Sequence, residues 1–254
     1  MEQKVAVISG AASGIGLASA RRFAAEHYAL ALIDIDPALE QHVAELSEQT
    51  AVVYRVADVS DEAAVQALFA EAHEKFGRID VVNSNAGIVL VQPLEQTPMD
   101  GVMRTLQVNL GGCFAMTKAA IPYFKEQRFG AIVNLGSISG HVGQMYHSIY
   151  GASKAAVIAF TRAVAWELAP YGIRVNSVSP GSVNTPMLRG DVMGESQRLN
   201  IPYETLKKER EAEQAFNRWA EPSEIADAIF YLAGEQASFI TGTDLLVDCG
   251  WAAK

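Results

Sequence analysis

The sequence predicts an α/β protein built on a doubly wound parallel sheet of about seven strands with helices on both faces. Short β-branched runs alternate with longer helical patterns along the whole chain. The strand-like runs are apolar throughout rather than alternating with polar residues, which indicates that helices cover both sides of the sheet. We expect residues 1–254 to form one domain, which lies within the usual size range of α/β domains.

Seven short runs have the β-branched, aliphatic character of buried strands. They are Val5–Ser9, Leu30–Ile33, Val52–Ala57, Asp80–Ser84, Ala131–Leu135, Arg174–Ser179 and Leu245–Val247. Longer runs with apolar residues on one face separate them and are predicted to be helices. These are Gly14–Glu26, Pro37–Glu48, Asp61–Phe76, Met99–Lys125, Ser148–Ala169 and Pro222–Ala233. We expect Ser60 to cap the third helix, and ligands to bind at the carboxyl ends of the strands.

Composition and charge exclude several classes of protein. The formal net charge is -9, which disfavours nucleic acids and anionic membranes as partners. No apolar run is long enough to span a bilayer, and a strand-like run follows Met1 too closely to leave room for a signal peptide. Cys113 and Cys249 form no disulfide framework, and no metal-binding spacing is present. We therefore expect a cytoplasmic protein without a metal.

The first strand runs into a glycine-rich turn, residues 10–16, with the sequence GAASGIG. Glycines allow a tight turn and bring the backbone close to a pyrophosphate, and the following helix directs its amides at that anion. The strand before and the helix after give the motif its required context. We predict that a dinucleotide binds at Gly10, Ser13, Gly14, Ile15 and Gly16.

Asp34 ends the second strand, eighteen residues after Gly16. A carboxylate at this position can accept hydrogen bonds from both hydroxyls of the adenosine ribose. It would repel a 2′-phosphate, Asp36 would add to the repulsion, and neither Ser13 nor Ile35 supplies a cation. The sequence therefore predicts NAD rather than NADP as the cofactor, with Asp34 and Ile35 at its ribose.

A second candidate site follows the fifth strand. Ser137 is followed by Tyr150 thirteen residues later and by Lys154 four residues after that. The four-residue spacing places Tyr150 and Lys154 on one face of a helix, where the ammonium would lower the pKa of the phenol. A second Tyr-x-x-x-Lys, at Tyr203 and Lys207, has no serine in the corresponding position, and we interpret it as part of a mobile loop.

These motifs resemble the short-chain dehydrogenase/reductase family over nearly the whole chain. The glycine motif appears as SGAASGIG, with Ser9 in place of the family's threonine, and Ser84-Asn85-Ala86-Gly87 resembles its NNAG motif. The resemblance implies a Rossmann-type fold. It implies catalytic roles for Asn109, Ser137, Tyr150 and Lys154, with Tyr150 as acid or base and Lys154 also binding the nicotinamide ribose. It further implies cofactor contacts at Asp58, Val59, Asn85, Ala86, Gly87, Pro180, Gly181, Val183 and Thr185.

The remaining expectations concern the substrate and the assembly. We expect substrate contacts at Ser137, Ser139, His141, Gln144, His147 and Tyr150, and a substrate-binding lid over residues 186–221. Arg189 is the only cation expected near the pocket, which favours a small uncharged substrate. The helix near Phe160 is apolar nearly all round, so one face needs a partner subunit. With the resemblance, this predicts a homo-oligomer, either a dimer or a tetramer, with the tetramer favoured.

The sequence thus predicts an NAD-dependent oxidoreductase that interconverts a small secondary alcohol, such as a cyclic alcohol, polyol or sugar, and its ketone. Two alternatives remain open at this point. One is a reductase of 3-oxoacyl groups, and the other is a scaffold that senses NAD without turnover.

Overall fold

A computed structural model describes residues 3–253 as a seven-stranded, wholly parallel sheet with helices on both faces, which confirms the predicted fold class. The strands are β1 Val5–Ser9, β2 Ala29–Asp34, β3 Val52–Val56, β4 Val81–Ser84, β5 Gly130–Leu135, β6 Ile173–Pro180 and β7 Asp244–Val247. The main helices are α1 Gly14–Ala25, α2 Leu39–Ser47, α3 Glu62–Phe76, α4 Met99–Leu106, α5 Gly112–Gln127, α6 Ser148–Leu168, α7 Pro186–Leu199, α8 Tyr203–Ala212 and α9 Pro222–Ala233.

The strand order is β3-β2-β1-β4-β5-β6-β7. The chain moves outward from β1 to β3 and then crosses back, so that β4 pairs with the other side of β1 in the register Val7↔Val82. This reversal leaves a crevice between the carboxyl ends of β1 and β4, where an open α/β sheet binds its ligands.

Side chains of successive strand residues enter opposite cores, and this explains the uniformly apolar strands. Val7 belongs to a core formed with α3, α5 and α6, which contains Phe69 and Phe124. Its neighbour Ile8 belongs to the opposite core with α1, α2 and α9, which contains Phe23.

The predicted helix Met99–Lys125 is interrupted. A π-helical turn, Gln107–Gly111, separates α4 from α5, and the flanking residues Leu106 and Gly112 keep helical backbone dihedrals. Such turns occur frequently at functional sites. Here the turn carries Asn109, which is buried.

Two other expectations were wrong. The cap of α3 is Asp61, whose carboxylate accepts hydrogen bonds from the Ala63 and Ala64 amides, while the hydroxyl of Ser60 donates to Asp58. The segment 186–221 contains α7 and α8, so Tyr203 and Lys207 lie on a helix rather than in a loop. This segment packs through a small apolar cluster of its own, formed around Val192, Leu206 and Trp219.

Across residues 3–253, none of the helices combines the length and apolar character needed to cross a membrane.

Candidate active site

A cavity of about 320 Å³ lies along the carboxyl edge of the sheet. The loops after β1, β2, β3, β4, β5 and β6 line it, together with residues of α4, α6, α7 and α8. The glycine-rich turn lies in its wall, and so do Ser137, Tyr150 and Lys154. The tertiary structure therefore brings the two candidate sites of the sequence into a single cavity.

The glycine-rich turn is held tightly against the β4 loop. Gly10 has a positive φ of 68°, and a Cβ added there would lie 2.6 Å from Asn85 Nδ2. The Ser9 hydroxyl accepts hydrogen bonds from the Asn85 and Ala86 amides, both at 3.1 Å. A Cβ on Gly16 would lie 2.0 Å from the Gly10 carbonyl oxygen. Glycine at positions 10 and 16 thus allows helix α1 to begin directly beside the cavity.

Asp34 lines the cavity at the end of β2. Its Oδ2 accepts a hydrogen bond from the Ala12 amide at 2.8 Å, and its Oδ1 accepts one from the Asp36 amide at 2.9 Å. These bonds fix the carboxylate beside the glycine-rich turn, where the ribose of a dinucleotide is expected.

Arg104 of α4 lines the same end of the cavity and is a residue that the sequence analysis missed. Its guanidinium donates to the Asp58 carboxylate and to the Ser60 hydroxyl. Burial disfavours the ionised form of Asp58, but the hydrogen bonds from Ser60 and Arg104 outweigh it and lower the pKa below its usual value. The arginine is therefore already paired with an acid.

Asn109 lies behind the cavity wall rather than in it. Its amide nitrogen donates to the Ile88 carbonyl and to the Ser153 hydroxyl, at 3.0 and 2.9 Å, and its Oδ1 accepts from the Ile88 amide. A Cβ on Gly87 would lie 3.3 Å from Asn109 Oδ1 and 3.4 Å from Lys154 Nζ. A side chain at position 87 would thus be in close contact with both polar groups.

Tyr150 and Ser137 both line the cavity, and the Ser137 hydroxyl donates to the Ser139 hydroxyl at 3.3 Å. Burial raises the pKa of the Tyr150 phenol, and the Ser137 hydroxyl opposes this without cancelling it, while the Asp191 charge adds to the rise. Lys154 donates from Nζ to the Leu135 carbonyl at 2.8 Å, and burial lowers the pKa of its ammonium to about 8. The pKa of Tyr150 is thus raised by burial rather than lowered as expected.

The loop between Ser137 and Tyr150 contributes three further side chains to the cavity wall: Ser139, Gln144 and His147. The Ser139 hydroxyl donates to the Gln144 side chain. Burial lowers the pKa of His147, but hydrogen bonding to Asp191 and to the Met145 carbonyl outweighs it, so the pKa lies above its ordinary value.

His141 does not belong to the cavity lining in the part of the chain that the structure describes. Its Nε2 lies 2.7 Å from Oδ2 of Asp244, whose other oxygen accepts from the Ser177 and Ser179 hydroxyls. The structure therefore does not support a substrate contact for His141, because the side chain turns toward β7.

Most of the predicted cofactor residues line the cavity: Gly10, Ser13, Gly14, Ile15, Asp34, Ile35, Asp58, Val59, Asn85, Ala86, Gly87, Tyr150, Lys154, Pro180, Gly181, Val183 and Thr185. Gly16 lies behind the glycine-rich turn, against the Gly10 carbonyl oxygen, rather than in the cavity lining of the described residues. Arg189, the expected pocket cation, bonds instead to Asn184 and lines a separate outer cleft.

Besides Arg104, the lining contains Asp191, Arg210 and Trp251, which no motif indicated.

Comparison with known proteins agrees with this geometry. Residues 10–252 match a family model described as enoyl-(acyl carrier protein) reductase. The chain is 38% identical to meso-2,3-butanediol dehydrogenase of Serratia marcescens, over 100% of this chain and 96% of that protein. It is 37% identical to cis-4-hydroxycyclohexanecarboxylate dehydrogenase of Sinomonas cyclohexanicum, over 99% of this chain and 97% of that protein.

Two solved structures superimpose on nearly the whole chain. NAD+-bound xylitol dehydrogenase superimposes with a TM-score of 0.90 at 33% identity, over 96% of this chain and 97% of the other. ElxO with NADP bound superimposes with a TM-score of 0.88 at 29% identity, over 100% of both chains. The cavity geometry, the family match and the full-length relatives show that this chain belongs to the short-chain dehydrogenase/reductase family of oxidoreductases.

Proposed function

We propose that the protein is an NAD-dependent dehydrogenase that interconverts a small, uncharged secondary alcohol and its ketone. One observation carries the proposal: Ser137, Tyr150 and Lys154 line the same cavity as the glycine-rich turn and Asp34. An acid–base group and a dinucleotide site thus share one enclosed space, as hydride chemistry on a hydroxyl-bearing carbon requires. Relatives that are named as dehydrogenases of a butanediol and of a cyclic alcohol support this substrate class.

The residues at the carboxyl end of β1 fit a dinucleotide. A Cβ on Gly10 would meet Asn85, and one on Gly14 would lie 3.1 Å from Thr185 Cγ2, so side chains at these positions would crowd the cradle. The amino end of α1 opens onto the cavity beside them and favours a pyrophosphate there. Asp34 supports NAD over NADP because a 2′-phosphate would approach its fixed carboxylate.

We assign the cofactor's binding to the cavity-lining residues that the sequence predicted, with Asp34 at the ribose and Asp58 with Val59 at the adenine. When bound, NAD supplies the hydride acceptor.

Tyr150 moves the proton in this mechanism. Because burial raises its pKa, the phenol carries its proton at neutral pH and is ready to donate it to a ketone oxygen. In the direction of alcohol oxidation the same phenol, once ionised, accepts the hydroxyl proton. Ser137, which lines the cavity with Tyr150, holds the substrate oxygen at the phenol.

Lys154 and Asn109 provide the route by which the proton leaves. Both polar groups border Gly87, and Asn109 is joined to α6 through the Ser153 hydroxyl. An ammonium whose pKa is about 8 can both lose and regain a proton near neutral pH. A water held by Asn109 would connect Lys154 to solvent.

We propose further that residues 1–254 act as one domain and that the segment 186–221 closes over the substrate. Asp191 and Arg210 of this segment already line the cavity.

The protein assembles as a homo-oligomer, supported by exposed apolar side chains on α5 and α6, where Phe114 is 52% and Trp166 is 85% exposed. Both cysteines are free thiols, which supports a reducing cytoplasm.

Tyr150→Phe tests the mechanism. Removing the phenolic oxygen should lower kcat for secondary alcohols by about 10²–10⁴-fold while NAD still binds, because the ring keeps its packing. Formation of reduced nicotinamide is followed by absorbance, and NAD binding by calorimetry. Tyr203→Phe is the matched control, since it alters the second Tyr-x-x-x-Lys pair outside the cavity lining, and it should keep wild-type activity.

Wild-type turnover in Tyr150→Phe would overturn the assignment. NAD binding by the wild-type chain without turnover of any secondary alcohol or ketone would instead support the cofactor-sensing scaffold.

A further inference from the structure

Asp191 of α7 is an acidic group at the substrate end of the cavity. It lines the cavity together with His147 and Tyr150, and its side chain is 12% exposed. Its Oδ2 lies 3.6 Å from His147 Nε2, and the His147 and Tyr150 ring centroids are 6.2 Å apart. The carboxylate is near enough to act on the charge of Tyr150, whose pKa it helps to raise. Asp191 therefore lies a short distance along the cavity from the proposed reaction centre.

The Asp191 carboxylate keeps capacity to accept hydrogen bonds. Within residues 3–253, its nearest protein donor is His147, at a distance slightly longer than a normal hydrogen bond. An ionised carboxylate has about four acceptor positions, so Asp191 can accept hydrogen bonds from a ligand in the cavity that it lines. A hydroxyl of the substrate would fill one of them with a charge-assisted hydrogen bond.

The cation beside it is not available to an anionic substrate. Arg210 of α8 also lines the cavity, but its guanidinium donates to Glu195 at 2.7 Å and to Glu213 at 3.2 Å. The charge of Arg210 is thus compensated by Glu195 and Glu213, whereas the Asp191 carboxylate lines the cavity itself. A carboxylate or phosphate on the substrate would therefore be repelled.

We propose that Asp191 is a specificity-determining residue that accepts a hydrogen bond from a second hydroxyl of the substrate. The preferred substrates are then uncharged diols and polyols, including sugars, rather than simple alcohols or hydroxy acids. This inference rests on the proposed function, because it concerns the alcohol that Tyr150 is proposed to act on.

Four substrates that share the same four-carbon skeleton test the inference. The probes are 2-butanol, 1,3-butanediol, 2,3-butanediol and 3-hydroxybutyrate, each assayed with NAD for kcat/KM. In the wild-type protein, at least one of the two diols should exceed 2-butanol by about tenfold to a hundredfold, as a hydrogen bond to a charged group allows. 3-Hydroxybutyrate should fall below 2-butanol. In Asp191→Ala, the ratio of kcat/KM for the diol to kcat/KM for 2-butanol should fall to about one, whatever change in rate the two substrates share.

A gain-of-function variant makes the test independent of any loss caused by misfolding. Glu195→Gln removes one carboxylate from Arg210, so the ratio of kcat/KM for 3-hydroxybutyrate to that for the diol should rise about tenfold. Glu211→Gln is the matched control, because it removes the same charge from a carboxylate that lies 3.7 Å from Lys207 instead. That control should leave the ratio unchanged.

The outcomes separate the two proposals. Equal wild-type activity on the diols and 2-butanol, a preference for 3-hydroxybutyrate, or a parallel loss on all substrates in Asp191→Ala would overturn the role of Asp191 and leave the dehydrogenase assignment standing. No reduction of NAD with any of the alcohols, and no oxidation of reduced nicotinamide with the matching ketones, would overturn both.

Discussion

At the scale of single residues, the cofactor preference depends on one fixed carboxylate. Asp34 is held by the amides of Ala12 and Asp36, so it cannot turn away from a group placed against it. Arg104, also in the cavity lining, is paired with Asp58 and leaves its charge largely compensated. Repulsion of a 2′-phosphate by Asp34 should therefore dominate the choice between NAD and NADP.

Asp34→Asn is expected to reduce the preference for NAD over NADP by about tenfold, because the amide removes the charge and keeps an oxygen that can accept the backbone hydrogen bonds. Dissociation constants of both cofactors, measured by quenching of tryptophan fluorescence, check this. Asp36→Asn serves as the comparison, since Asp36 is absent from the cavity lining, and it should change the ratio less. If Asp34→Asn left the ratio of the NAD and NADP dissociation constants unaltered, the charge of Asp34 would not set the cofactor preference.

At the scale of elements, the distance between Ser137 and Tyr150 depends on how closely α6 packs against the loop after β5. The contact is made at Gly151, where an added Cβ would lie 2.7 Å from the Ser139 carbonyl oxygen. Since a backbone carbonyl cannot give way as a flexible side chain does, any side chain at position 151 must push the first turn of α6 outward. That turn carries Tyr150.

Gly151→Ala should therefore lower kcat by at least about tenfold through misplacement of the phenol, at a cost in stability of about 1–3 kcal/mol. Steady-state kinetics and urea unfolding measure the two effects. Gly143→Ala is the matched control in the same loop, because no atom lies within 4 Å of its added Cβ. Equal activity of the two variants would show that the α6 contact does not set the geometry.

At the scale of the whole molecule, exposed apolar surface on α5 and α6 is the basis of the proposed assembly. Phe114 and Phe160 contact each other with ring centroids 5.7 Å apart, and Trp166 lies 85% exposed on the same helix as Phe160. Large aromatic side chains are enriched at the centres of protein interfaces. We therefore expect Trp166 to lie in the proposed interface.

Trp166→Glu is expected to convert the oligomer into smaller species, because a buried carboxylate without a partner destabilises an interface. Sedimentation velocity measures the mass. Tyr54→Glu provides the control: Tyr54 is 38% exposed on β3, at the opposite edge of the sheet from β7. A wild-type mass for Trp166→Glu would exclude this face as the interface.

The amino-acid sequence by itself determined the features that depend on local pattern. Apolar strands buried on both faces predicted the parallel sheet, and the strand–glycine–helix order predicted the cradle around Gly10. The alternation of strands and helices also implied that the chain segments after β1, β2 and β5 meet at one edge. Asp34, Ser137 and Tyr150 could therefore be assigned to one cavity, which they line in the structure.

Only the tertiary structure decided which residues from distant parts of the chain complete that cavity. Asp191 and Arg210 reach it because α7 and α8 fold over the sheet edge, whereas His141, close to Ser137 in sequence, turns away to meet Asp244. Contacts of this kind join residues that are far apart in the chain. They depend on packing and on competing hydrogen-bond partners, so they cannot be predicted from the periodicity of the sequence. The sequence therefore predicted the residues proposed for the reaction, and the charges proposed to select the substrate became visible only in the folded chain.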